Sequence, residues 1–142
     1  MNNIQFRSDC PISSLLDIIG DKWTLLIIRD ISIFGKHTFN EFLQSDEKIA
    51  SNILSDRLAK LVLSKIILKK KHPKSKAKIF YDLSDKGRDL IPILFEIAIW
   101  SDKHLKISQE GRLFIESVKK NRKKTLNEII TRLSKDSPCN DR

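Results

Sequence analysis

The stretch "KKKHPKSKAKIFYDLSDKG", residues 69–87, decides how the fold of this chain is interpreted. Six lysines and no acidic residue lie between Lys69 and Lys78, and a strand-like alternation of side chains follows at 79–83. A disordered basic tail would not lead into such an alternation and then into a helix start. We therefore predict a basic β-hairpin inside a folded unit, with strands "IILKKK" and "KIFYDL" joined by "HPKSKA".

Length and composition indicate one globular domain. The chain has 142 residues, of which 40% are hydrophobic and 32% charged, enough to build a core of its own. Four glycines and four prolines are too few for the many turns of an all-β sandwich. We expect a single domain over residues 1–142.

The charge distribution points to a polyanionic partner. The net charge is +9, and residues 1–66 hold eight basic and eight acidic side chains, whereas residues 67–142 hold nineteen and ten. Such asymmetry favours nucleic acid first and an anionic membrane surface second, with a solvated lysine-rich surface as the alternative.

Several classes of protein lack their usual signals in this sequence. The start "MNNIQFRSDCP" has no apolar signal region, and no apolar run approaches the ~18 residues of a membrane span. Cys10 and Cys139 form neither a disulfide framework nor a zinc set, and the three histidines show no metal-ligand spacing. We expect a cytoplasmic protein with no membrane association, no metal, no cofactor and no enzymatic activity.

Helix signals surround the hairpin. A helix is predicted at 11–19 and a buried central helix after an Asp21 cap, followed by a short helix with Thr38 as its cap and Glu41 at capping-box spacing. "IASNILSDRLAKLVLSK" predicts the next helix. After the hairpin we expect a long helix at about 85–106, kinked by Pro92, and a last helix at about 109–134. The aromatic residues, including Trp100, are predicted to lie in the core.

This order of elements is typical of a winged helix-turn-helix: mainly α with a small β-hairpin wing (α+β) and with flanking dimerisation helices. The wing lies along the phosphate backbone while a helix enters the major groove.

Six motifs in this order resemble the HxlR-type transcriptional regulators, which are related to the MarR-like winged helices. The matching stretches are "CPI" (10–12), "GDKWTLLIIRD" (20–30), "FNEF" (39–42), "IASNILSDRLAKL" (49–61), "YDLSDKG" (81–87) and Trp100. The resemblance implies a homodimeric, cytoplasmic, DNA-binding regulator with an HxlR-type core at 8–106. Residues 107–134 would then form an extra C-terminal helix that enlarges the dimer interface, and residues 135–142 a frayed tail.

Two positions depart from the resemblance. The family usually closes its recognition helix with a glycine, where this chain has Lys65, which predicts a less tight turn. The outward face of that helix carries Asp56 and Ala59, where basic or amide side chains are commoner. Asp56 repels phosphate but can accept a hydrogen bond from cytosine N4, which fits base reading.

The DNA-contacting residues are predicted from the winged-helix geometry. The N-terminal turn of the recognition helix meets base edges, so the predicted base readers are Ser51, Asn52, Ser55 and Asp56, with Arg57 at the flank. Predicted contacts to phosphate come from the wing and from the turn before the third helix: Lys71, His72, Lys74, Lys76, Lys78, Lys36 and His37. His37 could equally be a plain turn residue. The run "KKNRKK" (119–124) is either a solvated helix face or a second DNA contact.

Cys10 is the candidate sensor. Several regulators similar to this chain use the cysteine of an N-terminal Cys-Pro pair to sense oxidants or electrophiles. At the N-terminus of the 11–19 helix the dipole favours a thiolate, whereas neighbouring Asp9 disfavours it. The alternative is a small buried residue. Cys139 matches nothing in the family.

Together these observations predict a sequence-specific regulator that binds double-stranded DNA as a homodimer at an inverted-repeat operator. Repression is expected, relieved by a small-molecule or electrophile inducer. The alternative is a basic winged-helix module that binds RNA or protein, or nucleic acid non-specifically, without a sensing role.

Overall fold

The computed structural model of the protein describes residues 4–138, which form eight helices and two strands. Before the wing lie α1 (Pro11–Ile19), α2 (Thr24–Ser32), α3 (Phe39–Leu43) and α4 (Ser51–Leu63), and the wing itself is β1 (Ile67–Lys71) and β2 (Ile79–Leu83). After it come α5 (Asp85–Arg88), α6 (Ile91–His104), α7 (Gln109–Lys120) and α8 (Arg122–Asp136). The predicted fold class, mainly helical with a hairpin wing, is confirmed. Within this part of the chain no helix is long and apolar enough to cross a bilayer.

Local capping signals place the first helices as predicted. Gly20 ends α1, where a Cβ would lie only 2.3 Å from the Leu16 carbonyl oxygen. The Asp21 carboxylate accepts hydrogen bonds from the backbone N–H groups of Trp23 (2.8 Å) and Thr24 (3.0 Å), which starts α2. Thr38 caps α3 by accepting from the Glu41 N–H at 3.3 Å. Side chain–backbone bonds of this kind are readable from sequence because they span only a few residues.

The end of the recognition helix α4 is tighter than predicted. Lys65 has a φ of +61°, the left-handed conformation that glycine adopts without strain. The Lys65 N–H bonds to the Val62 carbonyl (3.0 Å) and the Ile66 N–H to that of Leu61 (3.0 Å), the two bonds of a Schellman turn. The expectation of a less tight turn was wrong. Leu61 and Ile66, which this second hydrogen bond joins, are both buried in the core, and their burial favours the turn that contains Lys65.

The hairpin is regular, and its two faces differ. β1 and β2 pair antiparallel, with Lys69 opposite Tyr81 and Lys70 opposite Phe80. Because side chains alternate along a strand, Lys69 and Lys71 lie on one face and Lys70 on the other. The first face meets the helix-turn-helix, where the Tyr81 ring lies 6.1 Å from that of Phe42 in α3. We call these the DNA-side face, after the phosphate contacts predicted for its lysines, and the rear face.

The long helix predicted at 85–106 is two helices. Ser84 caps the short α5 as expected, but the chain turns at 89–90 before α6. Pro92 is therefore in the first turn of α6 rather than at a kink inside a longer helix. A proline is tolerated in the first turn because no intrahelical N–H is needed there, whereas an unbroken helix would lose a hydrogen bond and clash with the preceding turn.

The last predicted helix, 109–134, is also interrupted. Asn121 leaves helical geometry (φ −156°, ψ 88°), and its side chain accepts from the Lys124 N–H at 3.0 Å to start α8. The reversal lets both helices bury their apolar sides, with Ile115 and Val118 from α7 and Ile129 and Leu133 from α8. Of the predicted frayed tail, residues 135–136 are helical, and 139–142 lie outside the described residues.

The core gathers residues from almost the whole described chain. One cluster of buried apolar side chains extends from Ile19 in α1 to Leu133 in α8, with Ile28 and Ile31 of α2 fully buried at its centre. α8 therefore packs its apolar side chains against the core of its own chain. Fully burying a leucine such as Leu133 contributes roughly 2 kcal/mol to the free energy of unfolding. Trp100 was wrongly predicted to be core, because 58% of its surface is exposed.

Candidate nucleic-acid interface

The recognition helix α4 presents a polar face to solvent. Leu54, Leu58 and Leu61 are buried and fix its orientation. The predicted base readers Ser51, Asn52, Ser55 and Asp56 are all exposed, on or next to its N-terminal turn. An asparagine and two serines there supply the donors and acceptors that base edges match.

Arg57 differs from the other predicted readers. Its Nε lies 3.1 Å from Asp21 Oδ1, and its Nη1 contacts the Asp56 carboxylate. Burial alone would lower the pKa of Arg57, but hydrogen bonds and charges from Asp21 and Asp56 raise it. Asp21 is affected in the opposite sense, since burial raises its pKa but bonds from Thr24, Trp23 and Arg57 lower it overall. Arg57 thus ties α4 to the start of α2, and it could reach a base only by opening these ion pairs.

The wing carries five exposed lysines, of which sequence reasoning missed one. They are Lys69, Lys71, Lys74, Lys76 and Lys78, and among residues 4–138 none forms a salt bridge. Lys69 was missed, although its spacing of two from Lys71 places both on the DNA-side face. His72 is half-buried instead, with its ring 6.3 Å from that of Phe80 and its Nδ1 accepting from the Lys74 N–H at 3.1 Å. His72 shapes the wing tip.

Lys70 is the exception within the lysine run. On the rear face, its Nζ donates to Asp82 Oδ2 at 3.0 Å and to Ser137 Oγ at 2.6 Å. The Asp82 side chain is fully buried and also accepts from the Leu83 N–H at 2.9 Å. A buried carboxylate needs such partners, so Lys70 neutralises Asp82 rather than facing solvent.

His37 is a structural residue and not an exposed phosphate contact. It is 6% exposed, and its ring stacks on Phe80 with centroids 4.2 Å apart. Its Nδ1 lies 2.9 Å from the Tyr81 carbonyl oxygen and its Nε2 3.4 Å from Asp136 Oδ2. Its backbone carbonyl also accepts from the Tyr81 N–H at 2.7 Å, so this segment runs beside β2. We remove His37 from the candidate contacts.

A charged network holds the segment that leads into α4. Asp30, 3% exposed, accepts from Arg29 and from Ser45 Oγ, and Lys36 Nζ donates to the same hydroxyl at 2.8 Å. Arg29 Nη1 also pairs with Glu47 at 2.6 Å, and that bond lowers the pKa of Glu47 although burial raises it. Lys36 is therefore tethered through Ser45, which limits its reach toward a phosphate.

A groove joins the wing to the helix-turn-helix. It has a volume of about 260 Å³ and is lined by Thr38, Phe39, Asn40, Ala77, Lys78, Ile79 and Tyr81. Asn40 is exposed in the first turn of α3, beside Lys78 of the wing. Asn40 was not predicted, and only its place directly after the Thr38 cap could have indicated it. The Asn40 amide therefore adds a hydrogen-bond donor to a groove formed by α3 and the wing.

Cys10 is exposed at the N-cap of α1, so the alternative of a buried packing residue is wrong. Its backbone carbonyl accepts from the Ser14 N–H at 2.9 Å, as expected of an N-cap. The other cysteine, Cys139, lies outside the described residues. Within 4–138, no group of three or more His, Cys, Asp or Glu side chains is arranged to hold a metal ion.

Comparison with known proteins then decides the family. The HxlR-like helix-turn-helix family matches residues 18–109, well over half of the chain. The chain belongs to the HxlR-like family. Among its relatives is the HTH-type transcriptional regulator YdeP of Bacillus subtilis (strain 168), 32% identical over 105 residues, which are 71% of this chain and 81% of YdeP.

Solved structures of redox regulators resemble this HxlR-like chain. The redox regulator HypR in its oxidised form has a TM-score of 0.60 and 29% identity, over 69% of this chain and 100% of HypR. The reduced form of the regulator YodB from B. subtilis has a TM-score of 0.55 and 27% identity, over 68% of this chain and 95% of YodB. The HxlR-like protein described here is thus a transcriptional regulator with a DNA-binding helix-turn-helix fold, not an enzyme.

The HxlR-like match covers only part of the described structure. The matched segment, 18–109, contains α2–α6 and the wing. Most of α7 and all of α8 lie beyond it, as does Cys10 on the other side. The residues of α8 that contact the wing therefore lie outside the matched segment.

Proposed function

We propose that this protein is a homodimeric repressor that binds double-stranded DNA at an inverted-repeat operator. One observation carries the proposal: the exposed polar turn of α4 and the wing lysines, which form no salt bridge within residues 4–138, extend from the same helix-turn-helix unit. The packing of Tyr81 in the wing on Phe42 in α3 connects the wing to the helix-turn-helix. The lysines would bind phosphates and contribute affinity, while Asn52 and its neighbours would read bases.

Exposed apolar side chains support the homodimer. On α6, Ile97 is 46% and Trp100 58% exposed, and on α1 Ile12 is 73% and Leu16 50% exposed. Ile97 and Trp100 are three residues apart and share one side of α6. We propose that α1 and α6 pair the subunits, and that α8 contributes less than expected because its stripe is buried. The two reading helices would then lie roughly 34 Å apart, one duplex turn.

We propose that an oxidant or electrophile induces the protein through Cys10 and that it acts in the cytoplasm. Exposure of Cys10 at a helix N-terminus supports access by a reagent. The redox regulators HypR and YodB, which resemble this chain, support the class of signal. A small molecule is the other inducer compatible with this proposal. Occluding a promoter is the proposed mode of repression.

A binding assay tests the DNA-binding part. Duplex DNA from upstream of the protein's own gene is compared with random duplex and with RNA by gel shift and footprinting. We expect a protected dyad on the upstream duplex, and Asn52→Ala should reduce its preference over random duplex by about tenfold. Equal binding to all three nucleic acids would instead favour a non-specific basic module.

A second assay tests the sensor and the dimer. Treatment with diamide or mild peroxide should release the upstream duplex from the wild type but not from Cys10→Ser. Mass spectrometry should find the modification on Cys10. Loss of DNA binding in both proteins would place the sensor elsewhere. Trp100→Glu should shift the protein to monomers in sedimentation, with Leu113→Glu, an equally exposed apolar residue on α7, as the control.

A further inference from the structure

The last helix contacts the wing from behind. α8 buries Ile129 and Leu133 in the core, and residues at its C-terminal end contact Lys70 of the hairpin and His37, which packs beside it. These contacts lie outside the matched segment 18–109.

Near its end, α8 is fixed to α2. The Arg132 guanidinium donates to the carbonyl oxygens of Ser32 and of Ile33, the latter at 3.1 Å. These are carbonyls at the C-terminus of α2, which lack partners within their own helix. A cationic side chain there also interacts favourably with the helix dipole. The end of α8 is thereby held against a rigid central helix.

From this fixed position α8 reaches the rear face of the hairpin. Ser137 Oγ accepts from Lys70 Nζ at 2.6 Å, and the same ammonium pairs with the buried Asp82. Asp136 Oδ2 lies 3.4 Å from Nε2 of His37, whose ring stacks on Phe80 of β2. Asp136, the last residue of α8, thus contacts the histidine packed on the second strand, and Ser137, the C-cap that follows it, contacts the first strand.

A two-stranded hairpin needs such support. Isolated hairpins are marginal in water, and a sheet of two strands gains stability when it packs on a helix. The DNA-side face packs on the helix-turn-helix only near its base, since Tyr81 is buried but Ile79 and the lysines beyond are exposed. The rear face carries Asp82 and Phe80, both buried partly because other elements cover them.

We propose that Asp136 and Ser137 are positioning residues for DNA binding, which set the orientation of the wing relative to α4 without touching DNA. They hold Lys70 and His37, which fixes the rear face and so aims the lysines of the opposite face. This proposal rests on the proposed function, because it assumes that the wing lysines meet phosphates.

Because Asp136 is acidic, its removal affects DNA affinity in opposite directions through net charge and through wing position. Removing an acidic side chain raises the net charge, which by itself strengthens binding to any polyanion. A positioning role acts in the opposite direction, because a wing that loses its orientation also loses phosphate contacts. The double variant Asp136→Ala/Ser137→Ala therefore separates the two effects.

The experiment uses the full chain and a random-sequence duplex, titrated at several salt concentrations far below the unfolding temperature. We expect the double variant to bind about fivefold to tenfold more weakly, as losing two ordinary hydrogen bonds implies. The slope of log K against log salt concentration should also be flatter for the double variant than for the wild type. Hydrogen exchange should become faster for the hairpin amides, 67–83, and stay unchanged in α4.

Two controls isolate the contact with the wing. Asn127→Ala/Thr131→Ala alters exposed positions of the same helix and should bind like the wild type. Ser137→Thr keeps the hydroxyl and should also bind like the wild type. Weaker binding by either control to the same extent as the double variant would overturn the specific roles of Asp136 and Ser137.

Lys76→Ala, measured in parallel, distinguishes the failure of this proposal from that of the proposed function. If Lys76→Ala flattens the salt dependence but the double variant binds as tightly as the wild type or more tightly, the positioning role is overturned and the wing contact stands. If Lys76→Ala and the combined variant Lys71→Ala/Lys74→Ala/Lys78→Ala both leave the salt dependence unchanged, the wing does not touch phosphate, and both proposals are overturned.

Discussion

The two faces of the wing use the same side chain in opposite ways. Lys69 and Lys71 extend from the DNA-side face and form no salt bridge within residues 4–138. Lys70, between them in sequence, is bound to the buried Asp82 and to Ser137 on the rear face. The density of lysines in a sequence therefore does not measure the positive charge available to a partner. Strand alternation and a distant helix decide which lysines are available.

The physical difference lies in hydration. An exposed ammonium stays solvated and can release counterions from DNA when it meets a phosphate. A half-buried ammonium beside a buried carboxylate mainly offsets the cost of removing that carboxylate from water. Substitutions on the rear face should therefore change stability, and those on the other face should change DNA affinity.

The largest expected effect is on the rear face. Asp82→Ala leaves Lys70 without its buried counter-charge, so the free energy of unfolding should fall by about 3 kcal/mol. Urea denaturation measures it. Lys71→Ala, on the opposite face, is the control and should change stability by less than about 0.5 kcal/mol. Equal stability of Asp82→Ala and the wild type would remove the distinction between the faces. The paired variant Lys70→Met/Asp82→Leu should recover most of the loss, because no buried charge remains.

The next effect belongs to the exposed face. Lys76→Ala should weaken binding to all duplex sequences similarly and flatten the slope of log K against log salt concentration by about one, the contribution of one phosphate contact. Titrations at several salt concentrations measure this slope. Lys106→Ala, an exposed lysine between α6 and α7, is a matched control that should leave it unchanged. An unchanged slope for Lys76→Ala would remove Lys76 from the DNA contacts.

A smaller effect is expected where α4 joins the wing. Lys65 adopts a left-handed conformation that costs a non-glycine residue energy, so Lys65→Gly should stabilise the protein by about 0.5 kcal/mol after the greater flexibility of unfolded glycine is counted. Thermal unfolding measures it. Lys60→Gly, in the interior of α4, should destabilise by roughly 1 kcal/mol. If Lys65→Gly also destabilises the protein, the positive φ of Lys65 costs less free energy than the greater flexibility of glycine in the unfolded chain.

The smallest effect concerns the charge pair that holds α4 to α2. The pKa of Asp21 is lowered in the folded protein, so its contribution to stability is present above the unfolded value near pH 4 and is lost as the pH falls through the folded pKa. Asp21→Asn keeps a capping side chain but loses the ion pair with Arg57, which should cost a few tenths of a kcal/mol at neutral pH. Denaturation from pH 7 to acid pH should show this difference shrinking. A difference that grows toward acid pH would contradict the assignment.

Much of the fold could be predicted because its signals are local. The Asp21 and Thr38 caps and the hairpin alternation act over a few residues, and each was confirmed. The breaks at 89–90 and at Asn121 were missed, since the flanking segments keep helical periodicity and only packing on a common core requires the reversal. For the site, the exposed face of α4 was predicted, whereas the burial of His37 and the tethering of Arg57 and Lys36 were not.

The sequence by itself determined the starts of the helices before the wing, the winged order of elements and the family, because caps, periodicity and motif order are encoded in neighbouring residues. Only the tertiary structure decided which charges remain free. Lys70 is bound by a serine 67 positions later and His37 by an aspartate 99 positions later. Whether a charged group is solvated or paired depends on what surrounds it in space, and those surroundings come from segments far apart along the chain.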